Sequence, residues 1–223
     1  MLAATADELA LLFRQDTDDV LSTGDPDDSD RLWKDYEVYR YMTAACDRLA
    51  KDTDAFLRLL RLTVTADEET VPLSSRVLNI FGARLETADC EVVPRNANEG
   101  GPLVVSDYGL TLRAVPTWTR DYERNALVLS PSPTEADTLI LSCSVTISAP
   151  MSTGAPLPFT DIDDQLLLLA HMKSQAYAKQ DAETQDMSRA KTFDAVYRTG
   201  VSERKYERLR QRRQPGVVRM EGW

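Results

Sequence analysis

Residues Thr138-Leu-Ile-Leu-Ser-Cys-Ser-Val-Thr-Ile147 decide how the middle of this 223-residue chain folds. Apolar side chains recur there at nearly every second position, which is the spacing that places side chains on one face of a β-strand. The segment therefore predicts a half-buried strand. Such a strand needs partners in a sheet, and the sequence on its N-terminal side supplies candidates.

The stretch between Asp52 and this strand contains further short segments rich in leucine and β-branched residues. Proline and glycine separate these segments, as expected where a chain turns back on itself. The predicted strands are residues 57–65, 70–73, 77–85, 90–93 and 127–130. Together with residues 138–147 they predict an antiparallel β domain over residues 53–150.

Helical patterns precede the β domain. Thr5-Ala-Asp-Glu8 has the spacing of a capping box, in which a hydroxyl and a carboxylate bind the free amides at a helix start. Asp35 can cap a second helix, whose apolar residues recur at steps of three and four up to about Lys51. Residues 24–30, rich in aspartate, predict the loop between them. Both helices are thus expected within residues 1–52.

Helical patterns also follow the β domain. Residues 150–158 predict a linker, after which Thr160 or Asp161 caps a helix that is expected to run to about Lys179. A last long helix is expected to begin near Asp186. Its predicted buried stripe consists of Ala190, Phe193, Val196 and Tyr197.

The C-terminal helices are expected within residues 159–211. Pro215-Gly216 cannot continue a helix, so residues 212–223 are predicted to form an extended tail. The predicted fold class is α+β. The N- and C-terminal helices form one helical bundle, into which the antiparallel β domain is inserted, because neither pair of helices alone can bury much surface.

Composition and charge narrow the class of protein. A hydrophobic fraction of 43% and a charged fraction of 28% are typical of a folded domain, and a net charge of −10 argues against a protein that coats nucleic acid. The charge is uneven along the chain, which suits head-to-tail contact between copies or docking of one end on a partner. The acidic end carries Asp16, Asp18, Asp19, Asp25, Asp27, Asp28 and Asp30, and the basic end carries Arg204, Lys205, Arg208, Arg210, Arg212, Arg213 and Arg219.

Membrane insertion, secretion and disulfide bonding are not expected. The longest apolar run, residues 166–170, is far shorter than the roughly 20 residues that a membrane-spanning helix needs. Acidic residues near Met1 are unlike a signal peptide, so synthesis in the cytoplasm is expected. Cys46, Cys90 and Cys143 are odd in number and far apart, which predicts reduced cysteines that act as small apolar residues.

No catalytic residue, cofactor or metal site is predicted, and the chain is not expected to be an enzyme. As a calcium loop beginning at Asp25, the acidic segment has Asp30 where glycine is needed and Tyr36 where the bidentate glutamate belongs. His171, the only histidine, has no partner histidine at the spacing of a zinc pair, so a structural or interfacial role is expected. Trp33 and Trp118 fit either a core position or a binding surface.

The C-terminal segment is the part that folding explains least. Arg212 and Arg213 are followed by valines, a methionine and Trp223, and arginine and tryptophan are preferred anchors of protein interfaces. Two other interpretations stay open. The tail could fold back on its own domain, or the basic segment from Arg204 to Arg213 could bind nucleic acid.

Several segments resemble the head-to-tail adaptor (head-completion) proteins of tailed bacteriophages. The resemblance lies in residues 32–41, in Pro116-x-Trp118, in Asp137-Thr-Leu139, in Tyr177-Ala-Lys-Gln-Asp-Ala-Glu-Thr-Gln-Asp186 with the helix that follows, and in Arg212-Arg-Gln-Pro-Gly-Val-Val-Arg-Met-Glu-Gly-Trp223. These segments are short, but they are distributed over most of the chain.

The resemblance implies a structural virion protein at the head-tail junction. Its subunits would form a homo-oligomeric ring, commonly of twelve copies, between the portal protein and the tail tube or nozzle protein. DNA would pass through the lumen without specific binding, and the β domain would face outward or toward the tail. The portal-binding residues implied by the resemblance are Arg212, Arg213, Val217, Val218, Arg219, Gly222 and Trp223.

Other functions remain open beside this one. A nucleic-acid-binding or packaging accessory protein would use the basic C-terminal helix instead. Within the structural class, a tail terminator or a capsid-decorating protein is a further alternative.

Overall fold

The computed structural model describes residues 2–19, 31–95, 116–147, 149–180 and 185–212. Over these ranges the chain is mixed α+β, with four helices and one seven-stranded, mostly antiparallel sheet. It divides into two compact units. The helical unit comprises Met1–Thr53 and Ile147–Trp223, and the β unit comprises Asp54–Thr146.

Within the described residues, the helices all lie in one unit and the strands in the other. The helices of the helical unit are α1 (Ala6–Asp16), α2 (Asp35–Thr53), α3 (Ile162–Ala178) and α4 (Met187–Arg212). The strands of the β unit are β1 (Leu57–Val64), β2 (Thr70–Pro72), β3 (Val77–Leu85), β4 (Cys90–Pro94), β5 (Thr117–Asp121), β6 (Ala126–Ser130) and β7 (Asp137–Val145).

Strand β7 is the centre of the larger part of the sheet. It pairs with β1 on one side and with β3 on the other, both antiparallel. Leu139, Leu141 and Cys143 are fully buried at alternate positions, which confirms the half-buried strand predicted from residues 138–147. Phe56 O accepts a hydrogen bond from Val145 N at 2.9 Å, so the two ends of the β unit lie side by side.

The sheet curls on itself. Its strand order is β1-β7-β3-β4-β5-β6-β2, which puts β1 and β2 at opposite edges although only residues 65–69 join them. Seven strands laid flat would separate the two edges by about 29 Å, whereas a six-residue step reaches only ~20 Å. The edges therefore approach each other, and the enclosed face holds a core that includes Val64, Val71, Leu127 and Leu141.

Two features of the sheet differ from the sequence prediction. Strand β5 was not expected, because Thr117-Trp-Thr-Arg-Asp121 lacks an apolar repeat; it forms by antiparallel pairing with β6. In addition, β4 and β5 pair in parallel, so the sheet is not purely antiparallel. A parallel pair needs a long connection, and the roughly twenty residues between Pro94 and Thr117 satisfy that requirement.

Local signals in the sequence place the helix starts in the helical unit. Thr5 and Glu8 form the predicted capping box at α1, and Asp161 caps α3 by accepting a hydrogen bond from Asp163 N at 2.9 Å. Trp33 lies just before α2 and is only 1% exposed. Its ring meets Phe13 and Tyr177 edge to face, each at 5.6 Å between ring centroids, so it is a core residue.

Helix α3 contacts each of the other three helices. Near its start, the side chain of buried Gln165 is hydrogen-bonded to both backbone groups of Ala3, at 2.9 and 2.6 Å. The predicted linker is likewise hydrogen-bonded to the N-terminal segment, with Ala6 N donating to Ala155 O at 2.8 Å and Leu157 N donating to Ala4 O at 3.1 Å. These contacts hold the start of α1 against the start of α3.

Candidate functional site at the C-terminal helix

The predicted portal-binding residues lie at and beyond the end of α4. Arg212 is the last residue of that helix, and its side chain lies outside the described part of the structure. Residues 213–223, with Arg213, Val217, Val218, Arg219, Gly222 and Trp223, lie outside the described residues, as does the acidic loop at 25–30. Helix α4 is therefore the described element that leads to the predicted site.

The first part of α4 packs on the helical unit through apolar and aromatic side chains. Ala190 and Tyr197 are buried, and the half-buried Phe193 stacks on Tyr177 with ring centroids 5.9 Å apart. The prediction that Val196 belongs to this stripe is wrong, because its side chain is 53% exposed. Tyr197 points inward, and adjacent side chains of a helix point about 100° apart. The side chain of Val196 therefore points away from the core.

The later part of α4 is held by charge. Arg204 donates to both Asp164 Oδ1 (3.0 Å) and Asp161 Oδ2 (2.8 Å), and Arg208 donates to Asp164 Oδ2 at 2.7 Å. Arg208 also donates to the hydroxyl of Thr53, the last residue of α2. We call Arg204, Arg208, Asp161 and Asp164 the arginine-carboxylate cluster.

Burial and helix geometry make this cluster stronger than a surface ion pair. Asp164 is only 4% exposed, and its carboxylate binds the guanidinium groups of Arg204 and Arg208. It lies in the first turn of α3, where the helix dipole favours negative charge. The hydrogen bond from Arg204 and the amide of Asp163 lower the pKa of Asp161. Burial alone would lower the pKa of Arg204, but its hydrogen bonds to Asp164 and Asp161 raise it above its ordinary value.

The cluster bears on the alternative that the basic helix binds nucleic acid. Arg204 and Arg208 face carboxylates of the same chain, so they are not available to phosphates in this arrangement. Lys205 and Arg210 are exposed, but Glu203 and Glu207 are exposed on the same turns of α4. This part of α4 therefore presents mixed charge to solvent rather than a basic surface.

His171 lies in α3 at the contact with α2 and α4. Its ring is 4.7 Å from the ring of Tyr197 between centroids, and its Nε2 is 3.2 Å from the amide nitrogen of Gln175. Its Nδ1 is buried and has no hydrogen-bond partner. Burial, and secondarily the positive charge of Arg48, lower the pKa of the imidazole. The environment is that of a packed neutral ring.

An open groove of about 760 Å³ lies in the helical unit, between one face of α2 and the segment that follows Ile147. Met151 N donates to Thr43 Oγ1 at 2.9 Å, which holds that segment against α2. Tyr36, Tyr39, Arg40 and Met151 line the groove, and these residue types are enriched in protein interfaces.

The described part of the chain contains no cluster of three or more His, Cys, Asp or Glu side chains that could hold a metal ion. Nor does any of its helices have the length and apolar character needed to cross a membrane. The three cysteines are free, as predicted; Cys46 and Cys143 are buried and Cys90 is half-buried. Burial raises the pKa of Cys46 to about 12, which is unfavourable for a nucleophilic thiolate.

The partners of the basic residues in α4 were not predicted from the sequence. Arg204 and Arg208 were recognised as part of a basic end and Asp161 as a possible helix cap, but the two groups were not joined. The spacing of Arg204 and Arg208 by one helical turn was the available signal that both could reach one carboxylate.

No protein-family model matches this chain, and no curated protein matches it in sequence.

Proposed function

We propose that this chain is a structural virion protein of a tailed bacteriophage, a head-to-tail adaptor that forms a ring between the portal and the tail. In this proposal twelve copies form the ring, the N- and C-terminal helices build its wall as one bundle, and the β unit faces outward or toward the tail tube or nozzle protein. DNA passes through the lumen without specific binding. Residues 212–223 are the arm that docks on the portal.

The observation that carries the proposal is the way α4 ends. Docking by a short terminal arm needs a firmly held starting point, since an arm on a loose helix would lose more conformational entropy on binding. The arginine-carboxylate cluster provides such a point within two turns of Arg212. It also leaves the arginines and apolar residues of the arm, rather than those of the helix, for the partner.

The acidic character of the chain supports the same function. A conduit for a polyanion must not bind it tightly, because each phosphate contact adds to the affinity of a protein for DNA. The net charge of −10 and the inward pairing of Arg204 and Arg208 meet this condition.

Removal of residues 215–223, the larger part of the arm, tests the proposal. The chain without residues 215–223 is expected to lose binding to purified portal rings in sedimentation, while its circular dichroism spectrum and melting temperature stay those of the full chain. Trp223→Ala should weaken binding in the same assay, because tryptophan is a typical anchor of interfaces.

A matched control distinguishes specific docking on the portal from nonspecific binding. Tyr122 is 79% exposed in the β unit, so Tyr122→Ala removes an exposed aromatic ring outside the arm and should leave portal binding unchanged. Undiminished binding of the shortened chain would contradict the assignment of the arm. A reconstruction of purified particles in which this chain forms no ring next to the portal would contradict the function itself.

A further inference from the structure

The two halves of α4 are held to the helical unit by different forces. In the first half, residues 187–200, Ala190 and Tyr197 are buried among the other helices. This half ends with a close apolar contact at Gly200, where a Cβ atom would lie only 2.4 Å from Leu167 Cδ2. Glycine at this position lets α3 and α4 approach closely, and it is also a weak helix former in the middle of a helix.

The second half, residues 201–212, lacks this kind of packing. Among its described side chains, at positions 201–210, no apolar residue is buried; Tyr206 is 70% exposed and Leu209 is 40% exposed. The half-buried side chains of this half are Val201 at its start and then Arg204 and Arg208, and both arginines end at Asp164. Burial of apolar surface therefore contributes little to holding this half in place.

We propose that the arginine-carboxylate cluster is a latch, which holds the second half of α4 against α3 and α2 and whose release frees that half beyond Gly200 without unfolding the helical unit. One buried carboxylate binds both guanidinium groups, so the loss of Asp164 weakens both connections at once. Arg204 then keeps only partly exposed carboxylates, chiefly Asp161, and Arg208 keeps only the hydroxyl of Thr53. The first half keeps its own apolar contacts and stays in place.

The latch has a consequence for the arm. If residues 212–223 dock on a portal, the latch fixes the point from which the arm starts, and its release lets the arm search a wider volume. This consequence rests on the proposed function, whereas the latch itself does not.

Hydrogen exchange of the full chain, followed by mass spectrometry, tests the latch without any partner. Asp164→Asn keeps the shape of the side chain but removes its charge. Peptides from residues 201–212 are then expected to exchange roughly tenfold or more faster, because a hydrogen-bonded buried pair is lost, while peptides from 187–199 and from α3 keep their rates. Asp194→Asn is the matched control, since Asp194 pairs with Arg198 at an exposed site of the first half, at 2.8 Å.

Arg208→Gln provides a second variant in case Asp164→Asn does not fold. It removes the contacts to Asp164 and Thr53 but leaves Arg204 to neutralise the buried carboxylate. Faster exchange should again be confined to residues 201–212. Unchanged exchange there in both variants would overturn the latch, and so would an equal increase in residues 187–199. If the variants lose portal binding but residues 201–212 exchange at unchanged rates, the latch alone is contradicted. If residues 201–212 exchange faster in the variants but even the unaltered chain does not bind portals, the proposed function alone is contradicted.

Discussion

His171 is the side chain whose environment says most about how the helical unit depends on pH. It is the only histidine of the chain, so no other imidazole titrates beside it. Arg48 and Asp52 face it from α2, Tyr197 and Asp194 face it from α4, and Gln175 lies one turn further along its own helix. Its buried Nδ1 has no acceptor for a second proton.

We expect the helical unit to lose stability as pH falls below about 6.5, the ordinary pKa of histidine. Burial lowers the pKa of folded His171, so the unfolded chain takes up the proton first. The stability due to the neutral ring is thus fully present above pH ~6.5 and is lost as pH falls toward the lowered folded pKa, by about 1.4 kcal/mol for each unit between the two values. Urea unfolding at pH 7.5 and pH 5.5 measures this loss.

His171→Gln is the control for this prediction, because glutamine is polar but does not titrate. The variant should show a smaller decrease in the free energy of unfolding between the two pH values. Because the chain has one histidine, the imidazole resonances in an NMR titration report the folded pKa of His171 directly. A resonance that titrates at or above pH 6.5 would contradict the assignment of His171 as a packed neutral ring.

At the scale of residues, the sequence indicates the type of environment of a side chain better than it indicates the residues that the side chain contacts. It left Trp33 and Trp118 equally open between core and surface. The structure places Trp33 in the aromatic core of the helical unit and half-buries Trp118 against the core of the β unit. The distinction depends on neighbours such as Tyr177, which is far from Trp33 in the chain and close to it in space.

At the scale of elements, the boundaries that local chemistry sets could be predicted. The capping box at Thr5, the cap at Asp161 and the alternation in β7 all act within a few residues, and each prediction is confirmed. Strand β5 could not be predicted in the same way. Its residues show no repeat of their own, and it exists because β6 and β4 offer it backbone hydrogen bonds across the sheet.

The same leucine-to-alanine substitution should have a large effect on stability on one face of the β sheet and a small effect on the other. Leu141 is fully buried in β7, whereas Leu59, in the neighbouring strand β1, is 73% exposed. Leu141→Ala should lower the free energy of unfolding of the β unit by about 2–5 kcal/mol, because it leaves a cavity in the core. Leu59→Ala removes the same atoms from the surface and should change it by less than about 0.5 kcal/mol.

Chemical denaturation of the full chain, followed by hydrogen exchange of peptides from the β unit, measures both values. Equal effects of the two substitutions would contradict the placement of Leu141 on the enclosed face and Leu59 on the exposed face of the sheet. A large effect of Leu59→Ala alone would mean that β1 packs against something on its outer face.

At the scale of the whole molecule, the sequence showed where the charges lie along the chain but not which of them meet. The basic end and the aspartates at 161–164 are about forty residues apart, and only the packing of α4 on α3 brings Arg204 and Arg208 to Asp164. Charge counts alone therefore suggested a freer basic surface than the folded chain presents.

This pairing predicts how the full chain behaves toward DNA. Because Arg204 and Arg208 are bound to their own carboxylates and the net charge is −10, we expect no saturable binding of a labelled duplex up to roughly 10 μM protein at low salt, as measured by fluorescence anisotropy. Asp164→Asn removes the negative charge that both guanidinium groups share and should give weak binding that falls steeply with salt. Asp194→Asn changes the net charge by the same amount at an exposed pair, so it should not bind. Tight, salt-dependent binding by the unaltered chain would instead favour a nucleic-acid-binding or packaging role for the basic helix, because a conduit that grips DNA would hinder its passage.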